Sequence, residues 1–540
     1  MKRVARFWHT VRYLRLGQTL GRIWYSAVLP RPDLRPPPPQ RQLLKPYLAP
    51  CRRAQSLIGD QSFRFLGQEW ELPQQGGWDH EDLGKLWRYN LHYFDDLNSR
   101  NSEQRSTWHE VLLERWIREN PPASGTGWEP YPTSQRITNW IKAASNNRSL
   151  SQTMISSLAV QTRWLKMRLE THLLGNHLLA NAKALVHAGC FFGGKEGNSW
   201  LCTGLRLWAQ QVSEQILADG AHFELSPMYH ALILEDFLDL TNVLRAYAQP
   251  EPLAWSKTIG SMRHWLAAMT HPDGGIAFFN DAAFGVAPSY EELEDYADRL
   301  GFGYAPSQTV GCVHLVDSGY VRVSTGDSVA ILDCGKIGPD HLPAHAHADS
   351  LSFELSLFGS RVFVNSGTSE YGSSNERLRQ RGTAAHNTVV VDSTNSSDVW
   401  AGFRVARRAR PGKVIVRRES DAIIVSCSHD GYRRLADGVR HLRLWRLTPQ
   451  ALSIDDTVNG RFRRAEAIFR LHPSVSIQDD SDGKFALVLG DSRRVVLQFI
   501  GAISASCKRT TWHPEFGVQV PCWCVSVLFG SRGLQTEIRW

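Results

Sequence analysis

The chain has 540 residues, of which 42% are hydrophobic and 21% charged, with a net charge of +8 and 9 cysteines. That length exceeds one ordinary hydrophobic core and implies two or three soluble domains. The odd, scattered cysteines exclude a disulfide framework, no apolar run is long enough to span a bilayer, and the missing zinc-finger, P-loop and RNP-type motifs set nucleic acid aside. The positive excess then favours an anionic polysaccharide or a membrane surface as partner.

In chain order, Arg3, Arg6, Arg12, Arg15 and Arg22 interrupt the apolar stretch that a signal peptide would need. Between them Phe7, Val11, Leu14, Leu20, Ile23 and Trp24 fall near helical spacing. Residues 1–28 therefore read in two ways: a helix docked on the body of the protein, or a basic amphipathic helix lying on an anionic membrane. The Pro-rich run from Pro30 to Pro39 is a stiff extended linker, which closes a first segment at 1–40.

Residues 41–305 read as mostly helical. Trp87, Asn90, Leu91, Phe94 and Leu97 form one stripe. Leu173, Leu174, His177, Leu178, Asn181 and Leu185 form another, with polar residues on its buried side. Ser226-Pro227 is a helix start, with a Ser cap and Pro in the first turn. Gly301-Phe-Gly-Tyr-Ala-Pro-Ser307 marks the clearest boundary. Residues 306–540 then show short alternating apolar runs split by Gly, Asp, Asn and Ser, the texture of an antiparallel β-sandwich. The fold class is thus α+β and multidomain, helical first.

Four polar clusters, distant in sequence, carry chemistry. They are Gly175-Asn176-His177, the stretch His222-Phe-Glu224 to Tyr229-His230, the row His345-Ala-His347-Ala-Asp349, and the stretch from Tyr371 through Arg377 and Arg381 to His386-Asn387. The row runs into a strict alternation of Leu351, Phe353, Leu355 and Leu357 with Ser352, Glu354 and Ser356, so it reads as the entry of a half-buried strand with His345, His347 and Asp349 on one face. Arg377 and Arg381, at i and i+4, read either as a solvated helix face or as binding groups. An amide, a phenol, imidazoles and guanidinia together suit a polyanion, and 19 tryptophans and 14 tyrosines suit the apolar faces of sugars.

Several stretches carry a resemblance: Trp87-Arg-Tyr-Asn-Leu-His-Tyr-Phe-Asp95, Gly127 to Trp140, Gly175 to Leu185, His222 to His230, His345 to Asp349, and Arg381-Gly-Thr-Ala-Ala-His-Asn-Thr388. Ordered over about two thirds of the chain, they resemble the heparinase II/III-like polysaccharide lyases. The resemblance implies an incomplete (α/α) toroid followed by an antiparallel β-sandwich, with the active site between them. It implies β-elimination at a uronic acid of an anionic polysaccharide, leaving a 4,5-unsaturated sugar. It assigns Asn176 to neutralising the uronate carboxylate, Tyr229 to acid–base work and His345 to a second acid–base group. His177, His230, Glu224, Tyr371, Arg377, Arg381 and Asn387 are expected to contact substrate. In some relatives a structural zinc is bound at positions matching His347, Asn365 and His386; here Asn365 replaces a carboxylate, and a neutral amide is a poorer zinc ligand.

Two other functions stay open. One is a non-catalytic or weakly catalytic glycan-handling protein of bacterial exopolysaccharide assembly. The lack of a recognisable export signal fits that reading and places the chain in the cytoplasm or at the cell envelope. The other is a glycoside hydrolase, which needs two facing carboxylates, for which Glu224, Asp281 and Glu354 are the candidates.

Overall fold

The computed structural model describes residues 2–303, 311–435, 438–480 and 484–540. The predicted boundary at 305/306 lies outside them, but the texture changes as expected across the gap. Before it, helices dominate, including Lys85–Tyr93, Ser106–Glu119, Pro130–Ser145, Gln152–Met167, Gly175–Phe191, Gly194–Gln215, Pro227–Ala246 and Trp255–Ala268. After it, the strands are antiparallel.

The helices enclose an aromatic core. Trp87, Trp116, Trp140, Trp200 and Trp208 are fully buried there. Arg136 shares that core, its guanidinium 3.9 Å above the Trp116 ring. Helix Pro130–Ser145 begins with Pro in its first turn, where the missing N–H costs no hydrogen bond.

The β region holds a five-stranded meander from Gly311–Leu315 to Ser360–Phe363, an eight-stranded sheet and a four-stranded sheet. In the eight-stranded sheet the late strand Leu534–Arg539 inserts between Ala451–Asn459 and Arg494–Ile500. All three sheets contribute to one apolar core that includes Phe353, Leu355, Trp445, Leu497, Phe469 and Val525.

Strand Phe353–Leu357 corrects one expectation. Its alternation is real, but it is buried on both faces. The apolar side joins the β core, and the polar side forms the seam with the helical region. Glu354 accepts from His271 Nε2 at 2.9 Å and from the Phe278 and Asn365 N–H groups at 3.2 and 2.7 Å. Ser356 bonds His271 Nδ1 at 2.8 Å. A buried polar face is tolerated only when so satisfied. A small apolar cluster, with Trp265 and Phe279 against Tyr320 and Ile331, seals the same seam.

His341 to Ser352 is also not a strand. Leu351 has φ +60°, outside the extended region, and regular pairing begins only at Phe353. His345 and His347 therefore sit on a loop and are aimed by side-chain bonds rather than by the pleat.

Candidate active site

Asp281, from the loop after helix Trp255–Ala268, organises the site. Its backbone N–H donates to the His345 carbonyl at 3.0 Å. Its carboxylate accepts from His345 Nδ1 at 2.9 Å, from His347 Nε2 at 2.8 Å and from both terminal nitrogens of Arg377, one at 2.7 Å and the other in close contact. Burial pushes this carboxyl up, but Arg377, His345 and His347 overcome it and hold Asp281 well below the usual carboxylate range. It is an anion with every strong partner in place, and it fixes His345 with Nδ1 protonated and Nε2 free to exchange a proton.

Tyr229 lies in the first turn of helix Pro227–Ala246. Ser226 caps that helix through the Tyr229 N–H at 3.2 Å and gives its own hydroxyl proton to the Asp281 carbonyl at 2.5 Å. One side chain thus locks the Tyr229 helix to the Asp281 loop. The Tyr229 and His345 rings lie 3.9 Å apart between centroids, and the Tyr229 and Tyr371 hydroxyls meet at 2.9 Å. Burial, reinforced by Tyr371, pushes the Tyr229 phenol well above its ordinary value, so it rests as a proton donor.

Glu224 closes the far side, 3.5 Å from His345 Nε2. Burial raises its carboxyl against the pull of His345 and His177. Asn176 and His177 stand in the first turn of helix Gly175–Phe191, both half-buried. Here the helix N-terminus presents positive charge. Burial lowers His177, but the Glu170 carboxylate at 3.0 Å wins and raises it. Gly175 sits at φ +60°, a region that favours glycine, and a Cβ there would stand 2.4 Å from the end of the Leu342 side chain, in the loop that carries His345.

The structure thus gathers Asn176, His177, Glu224, Tyr229, His345 and Tyr371. The other sequence candidates lie in the walls. Arg377 is fully buried on Asp281, and Arg381 is fully buried on the carbonyls of Ala346, Ala401 and Gly402. The Arg377 and Arg381 side of helix Asn375–Arg381 is therefore not a solvated face: both guanidinia are buried and engaged by the protein itself. His230 bonds the Met262 carbonyl at 2.9 Å and the His222 N–H at 3.1 Å. Asn387 bonds the Phe353 carbonyl at 2.9 Å and the Arg470 N–H at 2.6 Å. Of the three hydrolase carboxylates, Asp281 and Glu354 are consumed by buried partners, so Glu224 has no facing mate among them.

His347 and His386 meet through Nδ1 and Nε2 at 3.2 Å. With His347 Nε2–H on Asp281, Nδ1 is the acceptor and His386 the donor. Asn365 turns its amide oxygen to the Asn387 N–H at 3.2 Å, and no group of three His, Cys, Asp or Glu suited to a metal occurs among the described residues. Two imidazoles and an engaged amide do not fit a closed zinc site, which takes four good donors.

Two family models cover most of the chain: Heparinase II/III N-terminus at residues 80–299, and Heparinase II/III-like, C-terminal, at residues 308–540. A heparin-sulfate lyase of Bacteroides stercoris is 27% identical over 41% of this chain and 36% of its own length. Another, from Bacteroides thetaiotaomicron, is 25% identical over 62% of this chain and 53% of its own length. The chain therefore spans only about a third to a half of these curated relatives. Among solved structures, a heparinase III shares the fold with a TM-score of 0.73 at 18% identity, covering 96% of this chain and 88% of its own. A chondroitin AC lyase from Streptomyces coelicolor does so at 0.51 and 10% identity, covering 84% and 74%. With both halves matched in order, the chain belongs to the heparinase II/III-like polysaccharide lyase family.

Proposed function

We propose that this protein cleaves a uronate-containing polysaccharide by β-elimination. The observation that carries this reading is a buried Asp281–His345 pair packed against a neutral tyrosine, beside a half-buried helix N-terminus bearing Asn176 and His177. The C5 proton of a uronate is weakly acidic while the neighbouring carboxylate is charged. Asn176, His177 and the helix dipole suit that carboxylate and stabilise the enolate-like anion that forms. His345 Nε2 accepts the C5 proton, and the electron pair becomes the C4–C5 double bond. The C4–O bond breaks, and the Tyr229 hydroxyl protonates the departing oxygen. Asp281 stabilises the imidazolium formed on the way.

The direct test is ultraviolet absorbance of the purified chain with a panel of uronate polysaccharides. The panel should include heparan-type and alginate-type polymers and bacterial exopolysaccharides. A rise with at least one glycan, from the new double bond, is expected. Saccharide ends released without that absorbance would mean hydrolysis, and glycan binding with no product would mean a handling protein.

We further propose that the site works without zinc, since Asn365 stands where a carboxylate ligand is expected and its amide oxygen is engaged by the Asn387 N–H. Dialysis against a strong chelator is expected to leave the melting temperature unchanged. A fall of several degrees, restored by zinc, would show that the imidazole pair holds a metal after all.

A further inference from the structure

The first two helices, Lys2–Val11 and Leu16–Ala27, are amphipathic in the reverse of the usual sense. Their polar sides dock on the body. Arg6 pairs with Asp398 at 3.1 Å, the Thr10 hydroxyl accepts from Trp400 Nε1 at 3.1 Å, and the Arg408 guanidinium lies 3.9 Å from the Tyr13 ring. In the second helix Gln18 is buried and donates to the His341 carbonyl at 3.3 Å, Gly21 closes on His172, and Tyr25 packs between His172 and Arg168. Their apolar sides face away: Phe7, Trp8, Leu16, Leu20, Ile23 and Trp24 are between 56% and 82% exposed. An ordinary surface helix buries that side, and exposed apolar groups clustered in this way mark an interaction surface.

We infer that this face lies in the interface of an anionic membrane. The charge pattern selects that occupant. No acidic residue precedes Asp33, and Arg12 and Arg22 are exposed with no carboxylate partner among the described residues. Aromatic and aliphatic side chains rimmed by arginine match the acyl–headgroup boundary of acidic lipid. A second copy is a poorer match, because two such faces would set arginine against arginine. The attachment is in-plane, since no helix among the described residues is long and apolar enough to cross a membrane.

The attachment is also rigid. The Pro-rich segment that follows is not a free tether: Arg163 donates to the carbonyls of Arg35 and Pro36 at 2.6 and 2.9 Å, and the Gly193 N–H donates to the Pro39 carbonyl at 2.6 Å. Through Gln18 and His341 the second helix touches the loop that bears His345, so a bound membrane fixes the direction in which the cleft faces.

Sedimentation of the full chain with vesicles tests the inference. Vesicles of phosphatidylcholine with about 30% phosphatidylglycerol are compared with phosphatidylcholine alone. The parent chain is expected to sediment with the acidic vesicles. The combined variant Phe7→Ser, Trp8→Ser, Leu20→Ser, Trp24→Ser is expected to bind at least tenfold more weakly, with an unchanged melting temperature because these side chains are exposed. The charge variant Arg12→Glu, Arg22→Glu is expected to lose the preference for acidic lipid. Absent vesicle binding, or binding that neither variant weakens, would overturn the inference. A concentration-dependent dimer abolished by the serine variant, without vesicle binding, would assign the face to self-association instead.

Discussion

Tyr229→Phe is expected to lower kcat by about 10³-fold, within the range that a positioned proton donor contributes, while glycan binding stays close to that of the parent chain. The substitution removes one oxygen and leaves the ring on His345. The lost hydrogen bond to Tyr371 costs about 1 kcal/mol, too little to unfold the chain. Burial keeps the phenol protonated, so on the proposed mechanism the variant loses the proton donor to the departing oxygen, and the loss belongs in kcat rather than KM. Turnover by ultraviolet absorbance and binding by titration calorimetry separate the two. A variant that keeps more than a tenth of the parent turnover would remove Tyr229 from the chemistry and direct attention to Glu224, the other buried acid beside His345.

Asp281→Asn is expected to be the most damaging single change. The carboxylate answers two histidines and a fully buried guanidinium, so its removal strands the Arg377 charge in the seam. Breaking one side of such a pair costs about 3–5 kcal/mol. Turnover is expected to fall by up to about 10⁴-fold, the loss that follows when an orienting carboxylate becomes an amide and the imidazole takes the wrong tautomer. The pH dependence has a definite sign. The Asp281 carboxyl is held below its ordinary 3.8 in the folded chain. Its contribution is therefore complete above that pH and is lost as pH falls further toward the folded value. The stability gap between parent and variant is expected to be constant near neutrality and to shrink below pH 3.8, by about 1.4 kcal/mol per pH unit. Urea denaturation across that range measures it. A gap that did not narrow would show that Asp281 is not the anion inferred from its partners.

Much of this was legible in the chain. The helical stripes, the Ser226-Pro227 helix start and the β texture after Gly301 carried the two-part fold, while Asn176, Tyr229 and His345 were singled out by the family resemblance and not by spacing. Asp281 was visible only as a stray carboxylate. It lies in an irregular loop with no periodicity, and its partners come from residues 64 to 96 positions later, so nothing local marks it. Arg377 and Arg381 were misleading for a related reason. The i, i+4 spacing places two side chains on one helix face but does not say whether that face meets solvent or a wall of carbonyls. The histidine row was read as a strand because alternation continues through Ala346 and Ala348. Residues 341–352 instead form a loop, in which Leu351 turns to φ +60° and its N–H meets the Asp333 carbonyl at 3.0 Å.

The Asp281 bonds to His345, His347 and Arg377 tie the candidate site to assembly. Tyr229 and Asp281 come from the helical half, and His345 and Tyr371 from the β half, so neither half holds a proton relay alone. On the proposed mechanism, a partly folded chain with one half formed would be silent. On the proposed chemistry, turnover begins only when the two halves have docked.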